Sequence, residues 1–213
     1  MKYNQYGRSM IEMLGVLAII AVLSVGGIAG YSKAMEKWKM NKAISEYSFI
    51  IYGVLEHIDD IYKMPVEESV NLNSLLESLN LIPDNWMIDG ENLKDAYGND
   101  IYVGVYPATS SAPVRVSMDL RLGGIMEDDK KSFSPAFSAK ICQTMFTDLI
   151  IPLSDVIWAS AVTRWKSGWE MFYGNNYCKE GRKCLQNLSL DEINRICNYC
   201  NGNSEVCAVN ISF

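Results

Sequence analysis

An uncharged apolar run of bilayer length, opened by a single carboxylate, constrains this chain more than any other feature. Residues Met13 to Ser32 carry no charge, and about 20 residues in a helix span about 30 Å, the thickness of a bilayer's hydrocarbon core. Glu12 lies immediately before this run. Because an ionised carboxylate is costly in apolar surroundings without a counter-charge, the sequence predicts that a cation pairs with Glu12 when the run is buried.

The residues before the run resemble the processing site of type IV prepilins. A short leader that contains Lys2 and no acid ends at Gly7, which is followed by Arg8 and then by Glu12. In that family a dedicated peptidase cuts after the glycine, the new amino terminus is methylated, and the glutamate falls at the fifth mature position. The resemblance implies processing between Gly7 and Arg8. In a filament, it implies an ion pair between Glu12 and the terminal amine of a neighbouring subunit.

Two other interpretations of the run stay open. A secretory signal would have a small-residue cleavage site, for which Ala29-Gly30 is the candidate. A plain single-pass anchor explains the length of the run but not the combination of Gly7 with Glu12. The basic residues before the run predict a cytoplasmic amino terminus and export of the bulk of the chain. The expected organisation is a leader at residues 1–7, a transmembrane or filament-core helix at 8–32 and one exported globular domain at 33–213.

Composition supports one exported domain without a catalytic or metal centre. About 180 residues follow the run, enough for a single core. The chain carries a net charge of -6, and because Lys2, Arg8 and Glu12 together contribute +1, the part beyond residue 32 carries -7. Such an acidic domain disfavours nucleic-acid binding. His57 is the only histidine, so a histidine-based active site or metal site is hard to build. We expect no enzyme activity, no cofactor and no metal.

The cysteines indicate an oxidising compartment. All six lie beyond residue 140: Cys142, Cys178, Cys184, Cys197, Cys200 and Cys207. An even number in a polar, Asn- and Gly-rich tail predicts three disulfides formed outside the cytoplasm, and the spacing alone leaves their connectivity open. Two alternatives are a four-thiolate zinc site, which Cys178/Cys184 and Cys197/Cys200 superficially resemble, and a redox pair at Cys197 and Cys200.

The periodicities predict an α+β fold. Apolar residues from Ala34 to Tyr62 recur at steps of three or four, and proline is absent until Pro65, so one helix of about 50 residues is expected, transmembrane in its first half and amphipathic in its second. An antiparallel sheet is expected to cover the apolar stripe of the second half. Alternation predicts strands at 101–106, 114–122, 156–165 and 206–213, with helices at 136–150 and from a capping box at Ser189–Glu192.

Gly26, Gly27 and Gly30 interrupt the long helix near its middle. Each costs about 1 kcal/mol relative to alanine inside a helix. One interpretation is close packing of these small residues against another transmembrane helix. The other is a weak stretch that unwinds when the subunit leaves the bilayer, which the resemblance favours because pilin helices often carry a breaker at this depth.

Two further segments resemble pilins. The turn from Asp95 to Asp100 looks like the Asp/Asn-aromatic-Gly turn that leads into the first strand of pilins and pseudopilins, although its oxygen side chains are also compatible with a calcium site. The helix that bears Cys142 looks like the disulfide-closed carboxy-terminal region, from about residue 142, of type IVb pilins. That resemblance implies a disulfide from Cys142 to Cys200 or Cys207.

The three tryptophans of the same region allow two interpretations. Trp158, Trp165 and Trp169 are expected to pack in the core or in a contact between subunits. The alternative is that they form an exposed adhesive surface.

These features together predict a non-enzymatic major or minor subunit of a type IV pilus. The implied partners are the prepilin peptidase, copies of itself or of related pilins, and an inner-membrane assembly platform with a motor. The subunit would be a single-pass inner-membrane protein before assembly and part of a periplasmic or extracellular pilus afterwards. The alternatives are a pseudopilin of a type II secretion system and a membrane-anchored extracytoplasmic binding or redox domain outside the pilin family.

Overall fold

The computed structural model describes residues 10–110, 112–128, 131–200 and 205–213. The chain divides after Lys42 into two compact units. The described part of the first unit, residues 10–42, is a stretch of α-helix. The second unit, residues 43–213, contains the rest of that helix, a large antiparallel sheet and all three disulfides.

Two of the helices begin at serine residues whose side chains cap them. Ser138 caps one helix by accepting the Ile141 N–H at 3.2 Å, and Ser189 and Glu192 form a reciprocal capping box at the start of another. Both features satisfy backbone donors that would otherwise lack partners. The helices are α1 (Met10–Glu56), α2 (Ile58–Ile61), α3 (Asn73–Ser78), α4 (Ala139–Met145, continued by a π-helical turn at Phe146–Ile150) and α5 (Leu190–Asn198), with 3-10 turns at Asn175–Tyr177 and Leu185–Asn187.

The strands build one eight-stranded antiparallel sheet and a separate hairpin. They are β1 (Val70–Asn71), β2 (Met87–Asp89), β3 (Asn92–Lys94), β4 (Asp100–Tyr106), β5 (Arg115–Arg121), β6 (Met126–Asp128), β7 (Lys131–Phe133), β8 (Ala159–Arg164), β9 (Gly168–Tyr173) and β10 (Cys207–Ser212). The order in the sheet is β2-β3-β4-β5-β10-β8-β9, with β1 paired to β4, while β6 and β7 form the hairpin. The last strand therefore lies inside the sheet, between β5 and β8.

The core of the second unit lies between one face of the sheet and the last turns of α1. Val116 of β5 and Val209 of β10 alternate with residues on the other face and belong to the same buried cluster as Tyr47 and Ile51 of α1. Burial of each large apolar side chain contributes about 1.5–3 kcal/mol. Gly53 permits the close approach of helix and loop, because a Cβ at that position would lie 2.3 Å from the Leu81 side chain.

The structure confirms the α+β prediction and corrects its boundaries. The buried stripe of α1 begins at Ala43, not at Ala34, and Trp38 is exposed with Lys42 Nζ 5.4 Å from its ring. The periodic pattern continues along the helix, but only the part from Ala43 onward belongs to the second unit, residues 43–213, which we call the sheet domain. The strand expected at 156–165 begins at Ala159. Strand β9, in which Phe172 is buried, was not predicted.

Candidate functional site

The apolar segment, residues 13–32 of α1, has exposed side chains along its whole length. Its large apolar side chains are between 53% and 73% exposed. They are Met13, Leu14, Val16, Leu17, Ile19, Ile20, Val22, Leu23, Val25, Ile28 and Tyr31. Among the described residues, one helix, α1, has the length and the apolar composition needed to cross a membrane. A continuous apolar surface of this size is what lipid or another apolar helix covers.

Glu12 lies in the first turn of α1. A carboxylate at this end of a helix is favoured by the helix dipole, whose amino-terminal end carries a partial positive charge. Its side chain is exposed and directly precedes the apolar segment. The predicted processing site, Gly7 and Arg8, lies outside the described residues, so cleavage and the ion pair of Glu12 with a neighbouring amine stay predictions.

Gly26, Gly27 and Gly30 are helical, and α1 continues through them without a break. A Cβ added at any of these positions would meet nothing within 4 Å. Alanine would therefore fit at each position within this subunit. The roles expected of these glycines, close packing against another helix and unwinding outside the bilayer, depend on the surroundings of the segment. Both stay predictions.

A buried hydrogen-bond network, which we call the Tyr47 latch, ties α1 to the turn before β4. It consists of Tyr47, Asp95 and Asn99, each 5% exposed or less. The Tyr47 hydroxyl donates to Asp95 Oδ2 at 2.7 Å. Asn99 Nδ2 donates to Asp95 Oδ2 at 2.6 Å and to the Tyr47 oxygen at 2.9 Å. Burial, and then the charge of Asp95, raise the pKa of Tyr47 well above its ordinary value.

The latch shows what the turn residues do. Asp95 Oδ1 accepts the backbone N–H groups of Tyr97 at 2.8 Å and Asn99 at 2.9 Å, and Gly98 has φ +82°, which favours glycine. Asp100 Oδ2 accepts the Ile125 N–H at 2.8 Å. These carboxylates hold the backbone of the turn, so the arrangement is that of turn chemistry. No group of residues able to hold a metal ion is found in the described part of the chain.

A second contact of α1 was not foreseen from the sequence. Glu46 accepts the indole N–H of Trp86 at 2.9 Å and the side-chain amide of Asn85 at 3.1 Å. The Trp86 ring packs edge-on against Tyr47, with ring centroids 5.8 Å apart. The sequence showed only that Glu46 and Tyr47 are neighbours on the amphipathic half of the helix. Their hydrogen-bond partners lie about 40 to 50 residues further along the chain.

The six cysteines form three disulfides, Cys142–Cys197, Cys178–Cys184 and Cys200–Cys207. The prediction that Cys142 pairs with Cys200 or Cys207 is wrong. Helix α4 packs against α5, which brings the Cα atoms of Cys142 and Cys197 to 5.7 Å. Cys200 follows α5 and pairs with the first residue of β10 instead. Since every cysteine is in a disulfide, no thiolates remain for the zinc or redox alternatives.

The three tryptophans have different environments. Trp158 is buried but lies outside the main core cluster, and it contacts Tyr173 edge-on. Trp165 and Trp169 are 58% and 70% exposed, so the core interpretation is wrong for these two. They lie at the two sides of the tight β8–β9 hairpin, whose turn residues are held by the buried carboxylate of Glu205.

An ion-pair cluster joins β9 to α5. Arg195 makes two hydrogen bonds to Glu170, at 3.0 and 2.6 Å, and Lys183 contacts the same carboxylate. The two cations, Arg195 first, lower the pKa of Glu170 to about 2. This cluster fixes the region that carries two of the disulfides and was not recognised from the sequence, because its three members come from three separate segments.

Comparison with protein-family models, with curated protein sequences and with solved structures finds no match to this chain. The architecture itself is a long apolar amino-terminal helix whose last turns pack on an antiparallel sheet, with a disulfide-bonded carboxy-terminal region. That combination is compatible with a pilin-like fold. One amino-terminal apolar helix and three disulfides indicate a membrane anchor with an extracytoplasmic domain.

Proposed function

We propose that this chain is a structural subunit, a major or minor pilin, of a type IV pilus. The observation that carries the proposal is the contrast along α1. Residues 13–32 expose their apolar side chains, whereas from Ala43 onward one stripe of the helix, including Tyr47 and Ile51, is buried in the same core as the sheet. A helix built in this way has one half that requires an apolar environment and one half already satisfied by its own domain.

In this proposal the bilayer and the filament core are alternative surroundings for the same apolar segment. Lipid covers the segment before assembly, and the apolar helices of other subunits cover it afterwards. Glu12 then requires a positive charge wherever the segment is buried. The terminal amine created by cleavage after Gly7 supplies it, on a neighbouring subunit.

The partners and the location follow from this proposal. Prepilin peptidase would process the chain at Gly7/Arg8, and an inner-membrane platform with its motor would insert the subunit among copies of itself or of related pilins. The chain would cross the inner membrane once, with a cytoplasmic amino terminus, before it joins a periplasmic or extracellular filament. The subunit is non-enzymatic in this proposal, since its role is cohesion through α1 and display of the sheet domain.

The first test is the mature amino terminus of the chain made in a cell with a pilus assembly system. Mass spectrometry should find a chain that begins at a methylated Arg8. An intact Met1, or a cut near Ala29, would contradict the proposal.

The second test removes the charge of Glu12. We expect Glu12→Gln to lower the yield of sheared filaments by about tenfold or more, because an amine buried without its counter-charge costs several kcal/mol. Glu36→Gln is the matched control, since Glu36 is an exposed acid on the same helix beyond the apolar segment, and it should assemble normally. Equal filament yields from the two variants would contradict the proposed ion pair of Glu12.

Electron microscopy of the sheared fraction separates a long pilus from a short secretion pseudopilus.

A further inference from the structure

A groove lies on the face of the sheet that points away from the core. It has a volume of about 490 Å³, within the range of small-molecule sites. Along β5 the core residues Val116 and Met118 alternate with residues of this outer face. Ser117 of β5 is paired with Ser212 of β10, and Asn210 of β10 is paired with Ala161 of β8. Small side chains on three adjacent central strands therefore form a depression, which we call the aromatic groove.

Aromatic rings form both walls of the aromatic groove. Tyr106 of β4 stands on one side, and Trp158, Trp169 and Tyr173 stand on the other. Trp158 is buried and supported edge-on by Tyr173, with ring centroids 5.7 Å apart. Trp169 is 70% exposed at the rim. A large ring left exposed beside a preformed depression offers a flat apolar surface on which a ligand can pack.

Arg115 gives the aromatic groove a positive charge with an unused hydrogen-bond donor. Its guanidinium carbon lies 5.2 Å from the centre of the Tyr106 ring and 5.6 Å from that of Trp158. Its Nη1 is buried and has no hydrogen-bond partner in the described part of the chain. Buried donors are normally paired, and a guanidinium is shaped to pair with a carboxylate through two parallel N–H bonds.

The floor of the groove is polar but already ordered. Ser117 Oγ and Ser212 Oγ are 2.6 Å apart, and Asn210 Nδ2 donates to Ser117 Oγ at 2.9 Å. Hydroxyl oxygens have two acceptor lone pairs, so this fixed row can still accept hydrogen bonds from a ligand. Ligand hydroxyl groups are the donors that suit such a floor.

We propose that the aromatic groove binds a saccharide that carries a carboxylate. The C–H face of a sugar ring would pack on Trp169, its hydroxyl groups would bond to the serine floor, and its carboxylate would pair with Arg115. The net charge of -7 beyond residue 32 repels polyanions, whereas a ligand with a single carboxylate can pair with Arg115. The nearby carboxylate of Asp119 accepts a hydrogen bond from Asn210 Nδ2 at 2.7 Å. The groove reaches the edge strand β9, but an extended peptide would pair with the backbone of that edge, whereas the groove is formed by side chains on the face of the sheet.

The test uses the full chain in micelles of lauryldimethylamine oxide, a detergent without a sugar headgroup. The probes are methyl β-D-glucuronide and the methyl glycoside of N-acetylneuraminic acid, with methyl β-D-glucoside as the uncharged counterpart. Tryptophan fluorescence and saturation-transfer NMR report binding. At least one acidic glycoside should bind at millimolar concentration, and about tenfold more tightly than the glucoside. Binding does not depend on filament assembly, so this result and the proposed function can fail separately.

Matched variants locate the site. Arg115→Gln and Trp169→Ala should each weaken binding by about tenfold. Arg121→Gln and Trp165→Ala should change the affinity by less than twofold, because neither Arg121 nor Trp165 lines the groove. Arg121 bonds instead to Asn92. Trp169 is exposed, so its replacement leaves folding intact and keeps the test informative if Arg115→Gln is unstable.

Three results would overturn the proposal. The first is that neither acidic glycoside saturates the protein. The second is that the glucoside binds as tightly as the acidic glycosides, which would remove the role of the carboxylate. The third is that a short peptide with a free terminal carboxylate binds more tightly than both, which would make the groove a peptide site.

Discussion

The apolar segment and the sheet domain of this chain differ in the burial of their apolar side chains: the first exposes them and the second buries them. Ile20 in the apolar segment is 53% exposed, whereas Ile51, on the same helix, is 1% exposed. Secondary structure is the same at both positions, so helix formation alone does not create the difference. The sheet domain supplies its own apolar surroundings, and the apolar segment requires them from lipid or from other chains. The stability of the domain and the assembly of the chain should therefore respond to different substitutions.

The largest expected effect comes from the disulfide between α4 and α5. Replacing Cys142 and Cys197 together with serine should lower the free energy of unfolding of the sheet domain by about 4 kcal/mol, from the restored entropy of a loop of about 56 residues. The helical circular dichroism of the apolar segment in micelles should persist after the domain has melted. The control is the double serine variant of Cys178 and Cys184, whose loop is short and whose loss should cost about 2 kcal/mol. Equal costs for both pairs would show that loop entropy is not the source.

The comparison of Ile51 with Ile20 can be made directly. Ile51→Ala removes buried methyl groups from the core beneath the sheet, so it should destabilise the domain by about 3 kcal/mol in denaturant unfolding. Ile20→Ala should change the same free energy by less than about 0.5 kcal/mol. A similar loss for Ile20→Ala would mean that the two regions unfold as one unit, and the contrast drawn here would be lost.

The Tyr47 latch should contribute less. Tyr47→Phe removes one donor from the buried Asp95, and we expect a loss of about 1–2 kcal/mol. Tyr52→Phe is the control, because Tyr52 is exposed on the same helix. The pKa of Tyr47 is raised by folding, so the neutral hydroxyl stabilises the fold below about pH 10 and this contribution declines at higher pH. Thermal melts at pH 9 to 11 should show a decline in the wild type that is smaller in Tyr47→Phe.

The smallest effect is expected at Glu170. Folding lowers its pKa to about 2 from an ordinary value of 4.5. The ionised form therefore stabilises the fold above pH 4.5, and this stabilisation is lost as the pH falls from 4.5 towards 2. After screening by solvent, Glu170→Gln should cost about 1 kcal/mol at neutral pH and flatten the acid dependence of the melting temperature. Glu180→Gln, at an exposed acid of the same region, should leave that dependence unchanged.

Local signals in the sequence predicted local structure well. The capping box at Ser189 and Glu192 is present in the structure, and alternation located β4, β5 and β10 to within one residue or so. The periodicity of α1 predicted the helix, but it could not show where the sheet begins to cover it, because an apolar stripe looks the same whether a sheet or another subunit covers it.

Features that depend on long-range pairing were not predictable. The partner of Cys142 depends on how α4 packs against α5, which no local pattern encodes. The aromatic groove needs Tyr106, Arg115 and Trp169 to meet across β4, β5 and β9, and that meeting depends on the insertion of β10 between β5 and β8. For the apolar segment, composition alone predicted an exposed apolar surface, since no tertiary packing is needed to create it.

The internal position of β10 has a consequence for how the chain folds. Because β10 joins β5 to β8 in the described sheet, synthesis must reach residue 212 before the sheet can close. Until then both strands present open edges, which are the usual starting points of misassociation. Such non-local pairing is intrinsically slow. A nascent chain anchored by its first helix would therefore carry two unpaired strand edges until residues 207–212 insert between them.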